Sequence, residues 1–285
     1  MALGDTPKRL SGLIKIFLGL FLFLPSCLNI YAAQEIPSER LVQGKPPLPT
    51  AVPSEKGKWY LGEFYEYGRV NQGSRFGNWN EMDERIGYEY KNIQLYTYAA
   101  QLKRFADKDY TYNFGTVIPF KNYYIHEEFG FGSDVDFIYK FQNILEISHK
   151  LTGNLYWQGG YNYRNYKQND TYLIYPGLIY YFGNNYVSVD YGVSMIESRG
   201  NSQFGTVKGD FEITDSLHWS LGAAVGERLY DIYELSANKE YGYIIFTGFT
   251  LNLYKDLNLR LGYSYGMEKP SFIKRGLNFG LSIKF

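Results

Sequence analysis

The chain lacks several features that would assign it to a common functional class. Cys27 is its single cysteine among 285 residues, so no intramolecular disulfide can form. Its 29 basic residues are matched by 29 acidic ones, and this zero formal charge gives no indication of nucleic-acid binding. The sequence contains no metal-ligand spacing, phosphate-binding glycine loop or serine-centred elbow. We therefore expect no cofactor, no metal site and no nucleic-acid partner.

Aromatic residues and glycine are abundant instead. The chain contains 30 Tyr, 20 Phe and 30 Gly, yet its mean hydropathy is only −0.33. A helical membrane protein would be hydrophobic on average, whereas in a β-barrel with a wet interior only every second strand residue meets lipid. An excess of Tyr suits the two membrane interfaces of such a barrel. A soluble, aromatic-rich β-sandwich is the competing interpretation.

The first fifth of the chain, residues 1–57, carries targeting signals rather than fold signals. Residues 1–33 have a basic start, a short apolar run at 13–24 and small residues before Ala33, as in a secretory signal peptide. The apolar run is short for a membrane-spanning helix. Alternatively, the residues around Cys27 resemble a lipobox, which would make this cysteine an acylated first residue. Residues 34–57 are rich in proline and predict a flexible periplasmic linker.

The alternation of apolar and polar residues is clearest at the carboxy terminus. Leu277, Phe279, Leu281, Ile283 and Phe285 share one parity, and the residues between them are polar or glycine. Successive strand residues point to opposite faces, so this segment predicts a strand with one apolar face and one polar face. Such a terminal strand ending on Phe is typical of bacterial outer-membrane barrels. We interpret Phe285 as the signal recognised by the barrel assembly machinery.

Similar segments fill the chain from residue 58 to its end. Each is about as long as the nine to eleven residues that a tilted strand needs to cross a bilayer. The sequence therefore predicts an all-β protein, an antiparallel transmembrane β-barrel over 58–285 in the cell outer membrane. About fourteen strands are expected, with twelve or sixteen as the alternatives. They lie near 58–70, 79–91, 93–105, 109–119, 123–132, 137–149, 154–166, 170–182, 186–197, 202–214, 217–230, 240–254, 257–267 and 275–285.

The connections between these segments alternate in length. Every second one is short and carries Asn, Asp or Gly, which tight turns require. The intervening set includes longer and more charged connections at 71–78, 231–239 and 268–274. Short periplasmic turns and longer outer loops would produce this asymmetry.

Charged residues occur on the polar parity of the predicted strands. A charge facing lipid near the bilayer centre costs about 2–4 kcal/mol, so these residues are expected to face the lumen. Two hypotheses follow: a narrow channel for small polar solutes, or an occluded barrel that serves as a structural or interaction element. The oligomeric state stays open. The lumen-facing candidates are Arg85, Glu89, Lys103, Glu128, Lys140, Glu146, Arg164, Asp190, Lys208, Asp210, Glu212 and Arg260.

An outer-membrane lipid hydrolase is a further alternative, because some outer-membrane barrels are enzymes that use His. His126, His149 and His218 are all expected at the periplasmic end, whereas the catalytic groups of such enzymes lie at or above the outer leaflet. We therefore expect no enzymatic activity and assign no catalytic residue.

Three short motifs carry a family resemblance. They are Gln-Leu-Lys-Arg-Phe at 101–105, Gly-Tyr-Asn-Tyr-Arg at 160–164 and Gly-Glu-Arg-Leu-Tyr-Asp at 226–231, together with the closing Phe285. With the order of segments, they resemble the YaiO-type outer-membrane β-barrel family from about Trp59 onward. The resemblance implies location and architecture, and it supplies no site residues.

Overall fold

The chain forms a closed antiparallel β-barrel of fourteen strands. The computed structural model describes residues 57–133, 135–197, 200–227, 241–254, 256–269 and 272–285, so the predicted signal peptide and linker lie outside the described residues. The fold class and the strand number are confirmed. The strands are β1 (Lys58–Gln72), β2 (Arg75–Tyr90), β3 (Ile93–Arg104), β4 (Asp107–Pro119), β5 (Tyr123–Ser133), β6 (Phe141–Thr152), β7 (Leu155–Asn165), β8 (Asp170–Phe182), β9 (Asn185–Ile196), β10 (Gly200–Thr214), β11 (Leu217–Glu227), β12 (Tyr241–Tyr254), β13 (Leu257–Glu268) and β14 (Phe272–Lys284).

Pairing between the first and the last strand closes the barrel. Each strand pairs with its neighbours in sequence, and β1 pairs with β14 from Tyr60 opposite Lys284 to Gln72 opposite Phe272. Two backbone hydrogen bonds of 2.8 Å between Trp59 and Phe285 complete this seam. An even strand number brings the start of β1 and the end of β14 to one end of the barrel, which we call the terminal end; the opposite end is the loop end. Within the described ranges, no helix is long and apolar enough to cross a membrane.

Tight turns connect the strands at the terminal end. Lys91 and Asn92, between β2 and β3, both have positive φ, 49° and 68°. A two-residue turn with positive φ at both positions is of type I′, whose twist matches that of the paired strands. The short connections predicted at 91–92, 120–122, 215–216 and 255–256 match the observed strand ends. Those predicted at 150–153 and 183–185 are shorter, because β6 continues to Thr152 and β9 begins at Asn185.

The connections at the loop end are only partly as predicted. The first one, expected at 71–78, is a tight hairpin at Gly73 and Ser74, because Asn71 and Gln72 still pair with Phe76 and Arg75. Polar side chains mark where a strand leaves the apolar layer, but they do not end its backbone pairing. The predicted connection at 268–274 is also shorter, since β13 ends at Glu268 and β14 begins at Phe272. The connection expected at 231–239 lies outside the described residues.

Alternate strand positions differ sharply in burial. In β9, Ser188 and Asp190 are 1% and 8% exposed, whereas Val189 and Tyr191 are 57% and 49% exposed. We call the buried set of alternate positions the inner face of the barrel and the exposed set its outer face. This period of two is what a closed sheet produces when its two faces have different surroundings.

The outer face is mainly apolar, with aromatic residues concentrated toward both ends of the strands. Two aromatic bands of this kind match the girdles of membrane-spanning barrels. The band at the terminal end contains Trp59, Tyr88, Phe120, Tyr123, Trp157, Tyr180, Phe182, Trp219 and Phe249. The band at the loop end contains Tyr67, Tyr110, Tyr112, Phe131, Tyr163, Tyr172, Tyr191, Tyr243, Tyr263 and Tyr265.

Candidate functional site

The inner face contains most of the charged residues selected from the sequence. They sit at the same parity as buried residues of their strands, and both signs of charge are represented. The ten selected residues at inner-face positions are Arg85, Glu89, Glu128, Glu146, Arg164, Asp190, Lys208, Asp210, Glu212 and Arg260.

Two selected residues lie elsewhere. Lys103 is on the outer face of β3, at the parity of Leu95, which is 54% exposed, and opposite to that of Leu102, which is 2% exposed. The inner face of β3 is partly apolar there, so the apolar residues gave the wrong parity. Lys140 is exposed and precedes β6, which begins at Phe141 rather than at residue 137.

A buried carboxylate, Glu128, organises the inner face of β3 to β7. Its two oxygens accept hydrogen bonds from the hydroxyls of Tyr96 at 2.7 Å and Tyr98 at 3.0 Å. The Gln142 amide donates to it at 3.4 Å, and Arg164 Nε donates to the Gln142 carbonyl at 3.0 Å. Glu128 is only 1% exposed, so these donors replace the water that its charge would otherwise need.

His126 connects this group to a second carboxylate. Its Nδ1 lies 2.7 Å from Glu146 Oε2, and its Nε2 lies 2.6 Å from the Tyr96 hydroxyl. Tyr175 donates to the other Glu146 oxygen at 2.6 Å. The Tyr96 hydroxyl thus lies within hydrogen-bond distance of both Glu128 and His126. The hydrogen bonds therefore connect side chains of β3, β5, β6, β7 and β8.

Tyrosine rings reach these positions by lying across inner-face glycines. A Cβ atom added at Gly115 would collide with the ring of Tyr96, and one added at Gly160 would collide with the ring of Tyr175. Glycine at these two positions therefore lets the rings lie against the wall and direct their hydroxyls to the carboxylates.

Arg85 contributes the main positive charge beside these tyrosines. Its guanidinium lies 4.6 Å from the ring centroid of Tyr98 and 5.7 Å from that of Tyr96. It also lies 5.4 Å from the ring centroid of Phe64 on the neighbouring strand β1. A carboxylate oxygen of Asp83 lies 3.6 Å from a guanidinium nitrogen of Arg85, and the Asp83 side chain is almost fully buried. Aromatic faces attract a cation in a desolvated site, so these rings hold the guanidinium without neutralising it.

The connection between β5 and β6 folds onto the inner face near the loop end. We call residues 135–140 the inward segment. Ile138 and Tyr139 are 1% and 3% exposed, and Ile138 packs with Ala100 and Leu102 on the inner face of β3. The Tyr139 hydroxyl donates to Asn113 of β4 at 2.9 Å. This segment therefore occupies part of the barrel cross-section.

One buried carboxylate binds the backbone of the inward segment. Asp109, on the inner face of β4, is 0% exposed. Its oxygens accept the backbone N–H groups of Asp136 at 3.0 Å and of Phe137 and Ile138 at 2.9 Å each. The sequence analysis did not select Asp109, although its parity with Thr111 and the polar Asn of the next inner position indicated an inner-face residue.

A second pair that the sequence analysis missed joins the first and last strands. Lys274 Nζ contacts Glu66 Oε1 on the inner face, and the two residues are 3% and 7% exposed. Residues 268–274 were expected to form a loop, so Lys274 was not considered as a strand residue. Its partner is 208 residues away in sequence, and only closure of the barrel brings the two together.

Burial of the inner face changes along the barrel. Near the loop end, Asp109, Glu268 and Lys274 are 0%, 1% and 3% exposed. At the terminal end, the side chains of Glu89 and Lys284 form a 2.6 Å ion pair yet remain 17% and 34% exposed. The inner face is thus closely packed toward the loop end. At the terminal end it is accessible to solvent beside the Glu89–Lys284 pair but closely packed at Tyr156, Tyr181 and Tyr186, which are 5%, 4% and 4% exposed.

The three histidines do not form one site. His126 and His218 lie on the inner face beside Glu146 and Asp210, at 2.7 Å and 3.3 Å, whereas His149 is exposed on the outer face. All three are near the terminal end, as expected. Among the described residues, no group of His, Cys, Asp and Glu has the geometry to hold a metal ion.

Comparisons with known proteins support the fold at low sequence identity. No protein-family model matches the sequence, and no curated protein matches it. Two crystal structures of the Pseudomonas putida toluene transporter TodX are similar, each 9% identical. The first has a TM-score of 0.57 and covers 90% of this chain and 94% of the TodX chain. The second has a TM-score of 0.51 and covers 86% of this chain and 92% of the TodX chain. The outer membrane channel DcaP of Acinetobacter baumannii has a TM-score of 0.41, at 11% identity over 83% and 98%.

The protein is therefore a closed antiparallel barrel of the outer-membrane type. The neighbours are outer-membrane β-barrel proteins, which agrees with the location in the cell outer membrane expected from the sequence.

Proposed function

We propose that the chain forms a narrow outer-membrane channel for small polar solutes, with the inward segment as its constriction. The observation that carries this proposal is the set of three backbone N–H groups held by the buried carboxylate of Asp109. Residues 135–140 are thereby fixed across an inner face that carries hydrogen-bonding side chains beside an apolar cluster that includes Val70, Trp79 and Phe272. A solute passing this level would exchange its water for tyrosine hydroxyls and charged groups.

The chemistry of the inner face favours polar solutes of modest size. The carboxylates of Glu128 and Glu146 and the guanidinium of Arg85 each contact an inner-face tyrosine, and Lys208 shares the inner face with Asp210. Mixed charges can replace the hydration shell of a polar molecule but give an apolar one no favourable contact. TodX transports toluene, and the charged inner face described here supports a different class of solute.

Conductance through planar lipid bilayers tests this proposal. We expect the full-length protein to give small, stable current steps and the Asp109→Ala variant to give steps several times larger. Alanine leaves the three N–H groups without their acceptor, at a cost of about 1–3 kcal/mol, so the inward segment is held less firmly against β4 and narrows the barrel less. Asp107→Ala is the matched control, because Asp107 is exposed on the same strand; its conductance should equal that of the unmodified protein. Equal conductance of Asp109→Ala and the unmodified protein would contradict the constriction.

The close packing of the loop half favours a second candidate, an occluded barrel with a structural or interaction role. Lys274 and Glu268 are 3% and 1% exposed, which leaves little room beside them for water. This candidate predicts no current at any voltage from either the unmodified protein or Asp109→Ala, with both proteins folded.

The remaining sequence-based assignments complete the proposal. We propose that residues 1–33 are a signal peptide and 34–57 a periplasmic linker, and that Phe285 directs the chain to the barrel assembly machinery. Membership of the YaiO-type family stays a proposal that rests on the three short motifs. No enzymatic step is included, because His126 and His218 are held by inner-face carboxylates and His149 lies on the outer face.

A further inference from the structure

Four basic residues form a patch on the outer face near the loop end. They are Arg275 of β14, Arg69 of β1, Lys103 of β3 and Lys108 of β4. They are the lysine and arginine residues found at outer-face positions within the described parts of the strands. They are confined to one sector of five neighbouring strands, β14 and β1–β4, which we call the basic sector. The remaining wall has mainly aromatic, aliphatic and uncharged residues at this height.

The four residues form two pairs of like charge. Arg69 is the cross-strand partner of Arg275, and Lys103 is the cross-strand partner of Lys108. Directly opposite like charges destabilise a sheet because their Cβ atoms are only about 4.5–5.5 Å apart. Both pairs lie on the outer face of the barrel. An anion placed between the members of each pair would convert the repulsion into attraction.

The height of the basic sector coincides with the edge of the apolar layer. Arg69 follows the terminal-end residue Trp59 by ten residues, and Arg275 precedes Phe285 by ten. Lys103 likewise follows the first residue of β3 by ten. A strand tilted by about 40° rises roughly 2.5 Å per residue, so ten residues correspond to about 25 Å, the height of the apolar band of a membrane barrel. The charges therefore lie where lipid headgroups begin.

Polar residues connect the two pairs. Asn78 and Asn80 of β2 are the cross-strand partners of Arg69 and Lys103, respectively. The midpoints of the two pairs are three strand spacings apart, or roughly 14 Å. The acidic residues on the outer face of these strands, Glu63 and Glu84, are partners of each other and lie six residues nearer to the terminal end than Arg69. This offset is about 15 Å, which is longer than an ion pair.

We propose that the basic sector binds the headgroup of a phosphorylated glycolipid of the outer leaflet, with one phosphate between the members of each basic pair. Its acyl chains would lie on the apolar outer face below, beside residues such as Leu277 and Leu95, which are 59% and 54% exposed. Two separated phosphates on one sugar headgroup match two separated pairs of cations better than a single free phosphate does. The inference rests on the proposed outer-membrane location but not on channel activity.

Equilibrium binding of lipid A to the full-length protein in phosphatidylcholine nanodiscs tests the inference. The variants are the double substitutions Arg69→Gln with Arg275→Gln, and Lys103→Gln with Lys108→Gln. Each removes two cations next to an anionic headgroup, and at about 1 kcal/mol for each cation we expect an affinity loss of roughly thirtyfold. The matched control, Lys91→Gln with Lys121→Gln, removes two exposed lysines from turns at the terminal end and should bind lipid A as the unmodified protein does.

Three further measurements separate the alternatives. Monophosphorylated lipid A should bind more weakly than the bisphosphorylated form, and inorganic phosphate should not compete at millimolar concentration. Equal binding of phosphatidylglycerol, full competition by phosphate, or unchanged lipid A affinity in both double variants would each overturn the inference. Loss of self-association in these variants would instead identify the sector as an interface between two copies of the chain. Bilayer conductance should be the same in the double variants, so failure of this inference is distinguishable from failure of the proposed channel.

Discussion

Replacing Lys274 by Met is expected to lower the free energy of unfolding by about 3–5 kcal/mol, because it leaves the carboxylate of Glu66 buried and without its ammonium partner. Lys274 and Glu66 are 3% and 7% exposed on the inner face, where water cannot replace the lost charge. The pair joins β14 to β1, so its loss acts on the seam that closes the barrel. Urea unfolding of the protein in lipid vesicles, followed by tryptophan fluorescence, measures the change.

A double-mutant cycle identifies the origin of this effect. Adding Glu66→Gln to Lys274→Met removes the unpaired charge, and the double variant should be more stable than Lys274→Met alone. Lys167→Met is the control. Lys167 Nζ lies 2.9 Å from Asp136 Oδ1, but the two side chains are 56% and 62% exposed. We expect a loss of only about 0–1 kcal/mol from this exposed pair. Equal losses in Lys274→Met and Lys167→Met would show that burial does not determine the strength of the seam pair.

Arginine at position 189 should destabilise the barrel by about 2–4 kcal/mol in lipid vesicles, because the side chain would face hydrocarbon near the bilayer centre. Val189 lies midway along β9, is 57% exposed, and has Leu178 and Val207 as cross-strand neighbours, both 46% exposed. None of these neighbours offers a hydrogen bond to a guanidinium.

Leu253→Arg is the matched control for Val189→Arg. Leu253 has nearly the same exposure, 55%, but is the second-last residue of β12 at the terminal end. Arginine near a membrane interface costs only about 0–1 kcal/mol, since its long side chain reaches water. The same stability loss at both positions, measured by urea unfolding, would show that depth along the strand has no effect and would contradict a lipid-facing outer face.

The sequence specified the architecture because lipid and water act on successive residues of each strand. In β9, Val187, Val189 and Tyr191 alternate with Ser188 and Asp190, and nothing else in the chain is needed to predict a strand with two unlike faces. Barrel closure follows from many such strands, since an open edge within a membrane would leave backbone groups unpaired. Fourteen strands were therefore predicted within a few residues of their observed ends.

The same rule failed where a strand leaves the apolar layer. The outer face of β3 changes from Ile93 and Leu95 near the terminal end to Gln101 and Lys103 near the loop end, while Leu102 is buried on the inner face. Parity alone assigned Lys103 to the lumen because it presumed an apolar environment along the whole outer face. The basic sector could thus be identified only from the observed strand pairing.

Contacts between distant segments could not be predicted from one sequence. The inward segment was assigned partly to the start of β6, because Phe137, Ile138 and Tyr139 resemble strand residues in composition. Their burial depends on Asp109, which is 27 to 29 residues away in sequence. No local pattern indicates that a carboxylate on β4 will accept three backbone N–H groups from the connection between β5 and β6. Tertiary context therefore decided the shape of the candidate constriction.

The central claim is that alternate residues of each strand separate lipid from an aqueous interior. The accessibility of spin labels along β13 tests this claim most directly. Single cysteines at 258 to 263 would be labelled after replacing Cys27, and collision rates with oxygen and with a water-soluble nickel complex would be measured in lipid vesicles. We expect Leu259, Leu261 and Tyr263 to favour oxygen, and Asn258, Arg260 and Gly262 to favour the nickel complex. Equal access of the nickel complex at all six positions, or no alternation between them, would contradict the account.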